Sequence, residues 1–261
     1  MKLEVIARES RVKRSHTPLL FVHSSCHGAW CWAENFLDYF AANGYSSYAV
    51  SLRWHGESEG KDIVQWASVN DYVADVVQVA NQLPQTPVLI GHSLGGFVVQ
   101  KYLEKYNAPA AILVASSPAS GMFFRGLSLF WQRPMLFTKT FLKLDVQTVY
   151  GTPLLIQELL FSPGIEKAKI EHYSKRFGKE SFRAFVEMMF YLPKPKKVKS
   201  PILVLGTEND AVVLPPLVES TGRAYQATVK IFPDMAHDMM LEYGWENVAA
   251  YIIQWLQTKG L

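Results

Sequence analysis

Ser93 lies in a stretch whose residue types and spacing suit nucleophilic catalysis. Residues 91–96 read Gly-His-Ser-Leu-Gly-Gly and contain the pattern Gly-x-Ser-x-Gly. The apolar run 88–90 predicts a strand that enters this stretch, and apolar residues at every fourth position from Leu94 predict a helix that leaves it. A sharp strand-to-helix turn with small neighbours exposes a serine hydroxyl, so the context favours a nucleophile over an ordinary turn serine.

A serine hydroxyl is a weak nucleophile at neutral pH and needs a neighbouring base, which a third group orients. With this motif between a strand and a helix, the sequence resembles the α/β-hydrolase superfamily, whose triad follows the chain order serine, acid, histidine. The resemblance implies that Asp210, in the loop after a predicted strand, is the acid, with Glu208 and Asp234 as competitors. It also implies that His237, after the last predicted strand, is the base.

Two backbone N–H groups are candidates for an oxyanion hole. The N–H of Leu94 directly follows the predicted nucleophile and opens a predicted helix, whose dipole favours negative charge there. Residues 23–32, His-Ser-Ser-Cys-His-Gly-Ala-Trp-Cys-Trp, resemble the His-Gly-x-x-His-Gly-Ala-Trp-x-Trp segment of plant methylesterases and hydroxynitrile lyases. By that resemblance Ser25 supplies the second N–H, and Ser24 stands where the family usually has Gly and is a candidate substrate contact.

Several aromatic side chains are further candidates for substrate binding. Residues 53–58 resemble the Arg-Gly-His-Gly-x-Ser turn of the superfamily, and this resemblance places Trp54 beside the pocket. Aromatic residues between 118 and 199 are expected to form an apolar roof over the nucleophile, and the candidates among them are Phe123, Phe124 and Trp131.

Short apolar strands alternate with amphipathic helices, which predicts an α/β fold with a mostly parallel sheet and helices on both faces. Apolar stripes predict helices from Val69, Leu94 and Val248, and Ser68 with Asp71 is typical of a capping box. The resemblance to the α/β-hydrolase superfamily implies that this sheet has the α/β-hydrolase fold. The predicted strands cover residues 3–7, 19–23, 46–51, 88–91, 110–115, 202–206 and 228–232.

The alternation of strands and helices breaks between residues 118 and 199. This segment contains 14 of the 34 aromatic residues and 14 Lys or Arg against six Asp or Glu. We therefore predict a helical lid at 118–199, inserted into a core formed by 1–117 and 200–261, since long insertions in compact domains are usually functional. Its basic surplus is either a solvated surface or a site of attraction for an anionic substrate or an anionic lipid surface.

Composition excludes several classes of protein. Hydrophobic residues make up 49% of the 261 residues and charged residues 19%, which excludes a disordered chain, and no apolar run is long enough to span a membrane. A net charge of +3 does not suggest a nucleic-acid partner. Cys26 and Cys31 fit neither a disulfide framework nor a zinc site, and the N-terminus lacks the features of a signal peptide, so a cytoplasmic location is expected.

These residues predict a serine hydrolase that cleaves a carboxylic ester or thioester with an apolar part, without a metal or an organic cofactor. Two other functions stay open, a C–C lyase of the hydroxynitrile type and a small-molecule receptor on the same fold. Lyases of that type often carry Lys after the catalytic histidine, and here the residue is Asp238. The sequence leaves open whether the chain is a monomer or a homodimer.

Overall fold

A single sheet of seven strands runs through the described residues 1–12, 17–60 and 66–261 of the computed structural model. All seven predicted strands are confirmed, with ends that shift by at most two residues. The strands are β1 (Val5–Arg8), β2 (Leu19–Val22), β3 (Ser47–Val50), β4 (Val88–His92), β5 (Ala111–Val114), β6 (Ile202–Thr207) and β7 (Thr228–Phe232).

The spatial order of the strands is β1-β3-β2-β4-β5-β6-β7. Strands β2 to β7 are parallel, with Leu20 opposite Tyr48 and Phe21 opposite Ile90. Strand β1 pairs antiparallel with β3 at the edge, and its four residues are only half-buried or exposed. The carboxyl ends of the parallel strands therefore meet at one edge of the sheet, where open α/β sheets bind their ligands.

The predicted helices are present as well, and the capping box at Ser68 and Asp71 is formed in both directions. The helices are α1 (Trp30–Ala33), α2 (Phe36–Ala42), α3 (Val69–Ala80), α4 (Leu94–Leu103), α5 (Phe123–Gln132), α6 (Pro134–Lys143), α7 (Pro153–Leu160), α8 (Lys167–Ser174), α9 (Phe182–Phe190), α10 (Pro215–Tyr225) and α11 (Trp245–Thr258). Short 3₁₀ helices cover Val146–Tyr150 and Pro195–Lys197.

Side chains alternate along β2 between two buried clusters, one on each face of the sheet. Leu19 and Phe21 belong to a cluster with α2 and α11, whereas Leu20 and Val22 belong to one with α3 and α4. Because both faces are covered by helices, the central strands are apolar on both sides and read as continuous apolar runs.

Residues 118–199, all of which the structure describes, contain α5 to α9 and no strand. The segment joins β5 to β6, and it contacts the core through Met188, whose sulfur accepts a hydrogen bond from the Ser117 hydroxyl at 3.4 Å. Within the described part of the chain, no helix has both the length and the apolar character needed to cross a bilayer.

Candidate active site

Ser93 occupies the turn between β4 and α4 in a backbone conformation that is rare for a residue with a side chain. Its φ is +52°, and its N–H donates to the Val114 carbonyl at 3.0 Å. Small neighbours make this turn possible, because a Cβ on Gly95 would overlap the carbonyl oxygens of Val22 and His23. The turn therefore packs directly against the end of β2 and holds the Ser93 side chain at the carboxyl edge of the sheet.

Asp210 and His237 form a buried hydrogen-bonded pair. Asp210 Oδ2 accepts from His237 Nδ1 at 2.8 Å, and its Oδ1 accepts from the N–H groups of Val212 and Val213 at 2.7 and 2.8 Å. The two competitors for the acid position, Glu208 and Asp234, are exposed. The backbone donors fix the carboxylate, which in turn fixes the imidazole and leaves Nε2 for a proton acceptor role.

Two carboxylates act on the His237 imidazole. Burial is the largest single effect and disfavours the imidazolium. The charge and hydrogen bond of Asp210, together with the charge of Asp238, outweigh it and raise the pKa of His237 above its ordinary value of 6.5. The adjacent His92 lies 4.7 Å from His237, ring centroid to centroid, and its Nε2–H donates to the His237 carbonyl at 3.0 Å. Burial, with the nearby His237, lowers the pKa of His92 to about 3, so His92 is a neutral donor that supports the histidine loop.

Asp238 is buried beside this pair and binds His27. Its Oδ2 lies 3.0 Å from His27 Nε2, and His27 Nδ1 bonds to the Ser25 carbonyl at 2.7 Å. Burial opposes ionisation of Asp238, but the charges of His27 and its neighbours lower the pKa of the carboxyl overall. A chain of hydrogen bonds thus connects the loop after β7 with the loop after β2.

Ligand atoms of His92, His237 and Asp238 lie within 4.8 Å of one another, close enough for a metal ion. Each residue already has a protein partner, since His92 Nε2 binds a carbonyl, His237 Nδ1 binds Asp210, and Asp238 Oδ2 binds His27. These hydrogen bonds use one atom of each residue, and among the described residues His92 Nδ1 and Asp238 Oδ1 have no hydrogen-bond partner.

The two predicted oxyanion donors flank Ser93. Ser25 lines the same cavity as Ser93, and Leu94 is the next residue at the start of α4. Among the described residues, neither the Ser25 N–H nor the Leu94 N–H has a hydrogen-bond partner. Both N–H groups are therefore free of protein acceptors, as an oxyanion donor must be.

The cavity at Ser93 has a volume of about 70 Å³ and is mostly apolar. Its polar groups come from Ser25, Ser93, Ser117 and Tyr150, and apolar side chains from the core and from residues 118–199 form the rest. The apolar lining includes Met122, Leu129, Phe137, Phe185, Met188 and Val212. The site is thus mostly apolar with few polar groups, as small-molecule sites usually are.

The structure does not place the five predicted substrate contacts on this cavity. Phe124 and Trp131 are 82% and 73% exposed, because α5 turns these side chains away from the core. Phe123 lines an outer groove, and Trp54 lines a separate cavity of about 560 Å³. Ser24 is buried, and its carbonyl accepts from His23 Nδ1 at 2.7 Å, so its role in the described structure is to hold the loop.

Three side chains near the site were not predicted. Tyr150 lines the cavity, Asp238 lies beside His237, and Glu180 contacts the loop that carries Ser25. Tyr150 and Glu180 come from 118–199, where no motif marks them. Asp238 could have been found from the sequence, because it is an acidic residue directly after the predicted histidine. Its charge served only as an argument against a lyase.

Comparison with known proteins places this geometry in context. The model of the alpha/beta hydrolase family matches residues 19–251. The chain is 30% identical over 98 residues to Methylesterase 3 of Arabidopsis thaliana and 34% identical over 97 residues to Methylesterase 1 of the same plant. These alignments cover 37% and 36% of each protein, so the match spans little more than a third of the length of the curated relatives. Among solved structures, the monoacylglycerol lipase of Paleococcus ferrophilus superposes with a TM-score of 0.74 at 19% identity, over 99% of this chain and 100% of that one, which is a likeness of fold.

Proposed function

The chain belongs to the alpha/beta hydrolase family, whose model matches residues 19–251, and from that premise we propose that it is a serine hydrolase of carboxylic esters or thioesters with an apolar moiety. The observation that carries the proposal is the buried His237–Asp210 hydrogen bond of 2.8 Å at the edge of the sheet that holds Ser93. The names of the plant methylesterases support an ester substrate.

In the proposed mechanism Ser93 Oγ attacks the carbonyl carbon while His237 Nε2 takes its proton. Asp210 keeps the proton on His237 Nδ1 and stabilises the imidazolium that forms. The oxyanion receives hydrogen bonds from the N–H groups of Ser25 and Leu94, each worth about 2.7–4 kcal/mol of barrier in comparable sites. The imidazolium then protonates the leaving group, and water hydrolyses the acyl-Ser93 by the same steps.

Labelling with a fluorophosphonate probe tests the nucleophile. We expect wild-type protein to gain one covalent adduct at Ser93, and the Ser93→Ala variant to gain none and to lose ester turnover by several orders of magnitude. Ser117→Ala, which changes another serine on the same cavity, serves as the matched control and should still be labelled. Turnover near the wild-type level in Ser93→Ala would contradict the assignment.

A lyase of the hydroxynitrile type is disfavoured by Asp238. This carboxylate is fully buried next to His237, so a cyanide leaving group would meet a negative charge instead of the lysine of such lyases. For a small-molecule receptor we find no observation that favours it over the hydrolase.

We include in the proposal that residues 118–199 form a lid over Ser93. Side chains of this segment and of the core line the same cavity, and Arg125 of α5 donates hydrogen bonds to the carbonyls of Ala211 and Val212 in the loop of Asp210.

The two thiols, Cys26 and Cys31, are free and buried, which supports the proposed cytoplasmic location, where thiols stay reduced.

We also propose that the outer face of α5 and α6 contacts an anionic lipid surface. Helix α5 has no buried residue, and Phe124, Trp131, Met135 and Leu142 are each more than 70% exposed. Residues 118–144 contain four basic residues and no acidic one. Exposed aromatic and aliphatic side chains next to basic ones are typical of helices that lie in a membrane interface.

Vesicle sedimentation tests this surface. We expect the protein to bind vesicles of phosphatidylcholine with phosphatidylglycerol, less so at high salt and with phosphatidylcholine alone. Trp131→Ala should weaken binding, whereas the matched control Trp66→Ala, which changes another tryptophan that is 60% exposed, should not. Equal binding by both variants, or dimerisation through this face without vesicle binding, would contradict the proposal.

A further inference from the structure

Cys26 directly follows the proposed oxyanion donor and has an unfavourable backbone conformation. Its φ is +62°, in the left-handed region, and its side chain is fully buried. A residue with a Cβ keeps such a conformation only when its surroundings hold it there. The contacts that hold Cys26 therefore restrain the peptide next to the one that carries the Ser25 N–H.

Three backbone groups follow the Ser25 N–H along the chain: the Ser25 carbonyl and the N–H and carbonyl of Cys26. Each of them has a hydrogen-bond partner. The Cys26 N–H donates to Glu180 Oε2 at 3.2 Å, and the Cys26 carbonyl accepts from the Gly178 N–H at 2.8 Å. The Ser25 carbonyl bonds to His27 Nδ1 at 2.7 Å. The Ser25–Cys26 peptide is thus held at both its N–H and its carbonyl, and two of the three contacts come from residues 178–180.

Glu180 is itself fixed in a buried network. Its Oε1 accepts from the Tyr72 hydroxyl and from the Ser181 N–H, both at 2.6 Å, and its Oε2 lies 3.3 Å from His55 Nε2. Both side chains of the Glu180–His55 pair are inaccessible to solvent. Burial opposes ionisation of Glu180, but His55 and the hydrogen bonds prevail and lower the pKa of its carboxyl.

We propose that Glu180 is a positioning residue for the oxyanion site: its carboxylate holds the Ser25–Cys26 peptide so that the Ser25 N–H faces the cavity at Ser93. The inference rests on the proposed serine hydrolase function and extends it. By this inference residues 118–199 take part in the catalytic geometry, because the segment that covers the cavity at Ser93 also orients the Ser25 N–H.

Substitution of Glu180 by glutamine tests the inference. Glu180→Gln replaces one acceptor oxygen by an amide that cannot accept from Cys26 and Tyr72 together. We expect kcat for a p-nitrophenyl ester to fall roughly tenfold to a hundredfold, since loss of a whole oxyanion donor costs about a hundredfold or more. KM should change little, and the Kd of an alkyl boronic acid, which mimics the tetrahedral intermediate at Ser93, should rise by the same factor as kcat falls.

Asp75→Asn is the matched control, because Asp75 is also a buried, ion-paired carboxylate but binds Arg53 instead of residues 23–27. It should lower Tm as Glu180→Gln does and leave kcat and boronate affinity unchanged.

If Glu180→Gln does not fold, Glu180→Asp, which keeps the charge and shortens the side chain, should show the same joint loss of kcat and boronate affinity. A folded Glu180 variant with wild-type kcat and boronate affinity would overturn the inference, while an inactive wild-type enzyme without labelling at Ser93 would overturn the proposed function with it.

Discussion

At the scale of single residues, the chemistry depends on the protonation of His237. This imidazole lies between the Asp210 carboxylate, which it binds at 2.8 Å, and the buried Asp238. Both negative charges favour the imidazolium, and they outweigh the opposite effect of burial on the pKa. The arrangement that would stabilise the charged intermediate of the proposed mechanism would thus also make the protein sensitive to acid.

We expect kcat/KM to fall as the pH drops through a value above 6.5, because His237 must be neutral to accept the Ser93 proton and its pKa is raised. Asp238→Asn removes one of the two charges and should move the acidic limb of the profile to lower pH, so that more activity remains below neutrality. Rate measurements from pH 5 to 9 on both proteins, with folding checked by circular dichroism, test this. An acidic limb at the same pH in both would mean that Asp238 does not act on His237.

At the scale of elements, close backbone contact between the turn at Ser93 and the end of β2 holds the proposed nucleophile next to the proposed oxyanion loop. A Cβ at Gly95 would overlap the backbone oxygens of Val22 and His23, which cannot move as a side chain can. Small residues are therefore needed in the motif for two steric reasons. The turn itself is sharp, and α4 packs closely on the sheet.

Gly95→Ala should separate α4 from β2 and so displace Ser93 from the Ser25 N–H. We expect a loss of about 1–3 kcal/mol in the free energy of unfolding, as for other overpacked sites, and a fall in kcat larger than the loss of folded protein explains. The control is Gly164→Ala, because a Cβ there meets no atom within 4 Å. Urea denaturation and ester turnover measure the two effects, and a stable, fully active Gly95→Ala protein would contradict this account.

Local sequence patterns predicted the elements of the core well, because its central strands are buried on both faces and its helices carry one apolar stripe. The same patterns did not predict that β1 runs antiparallel, since the direction of an edge strand depends on its partner β3 and not on its own four residues. In residues 118–199 the residue types predicted positions for two aromatic side chains that differ from those in the structure. Phe124 and Trp131 fit an apolar roof by type, yet both point to solvent.

At the scale of the whole molecule, the candidate site joins residues that are far apart in sequence. Motifs identified Ser93, Asp210 and His237, each within its own loop, and the fold brings Asp210 and His237 into contact. The Cys26–Glu180 hydrogen bond joins residues 154 positions apart, and no motif marks Glu180. Such contacts follow from packing of the 118–199 segment on the core, which local periodicity does not encode.

The size of the cavity sets an expectation for the substrate. A volume of about 70 Å³ holds roughly five water-sized groups, enough for a short acyl chain. A groove of about 170 Å³ continues outward from it, and the two share Gly126, Phe137 and Met189 as a common wall. The side chains of Phe137 and Met189 therefore stand between the inner cavity and the outer groove.

We expect kcat/KM for p-nitrophenyl esters to rise from acetate to butanoate by about fourfold per methylene, the ratio that corresponds to about 0.8 kcal/mol per buried CH₂. Beyond that length the wall at Phe137 should reverse the trend. Phe137→Ala joins the cavity to the outer groove and should move the optimum to octanoate, whereas Phe141→Ala changes only the outer groove and should leave the optimum in place. A steady fall in kcat/KM from acetate onward in the wild type would mean that the apolar side chains fill the inner cavity, and that the acyl group of the substrate is no larger than acetyl.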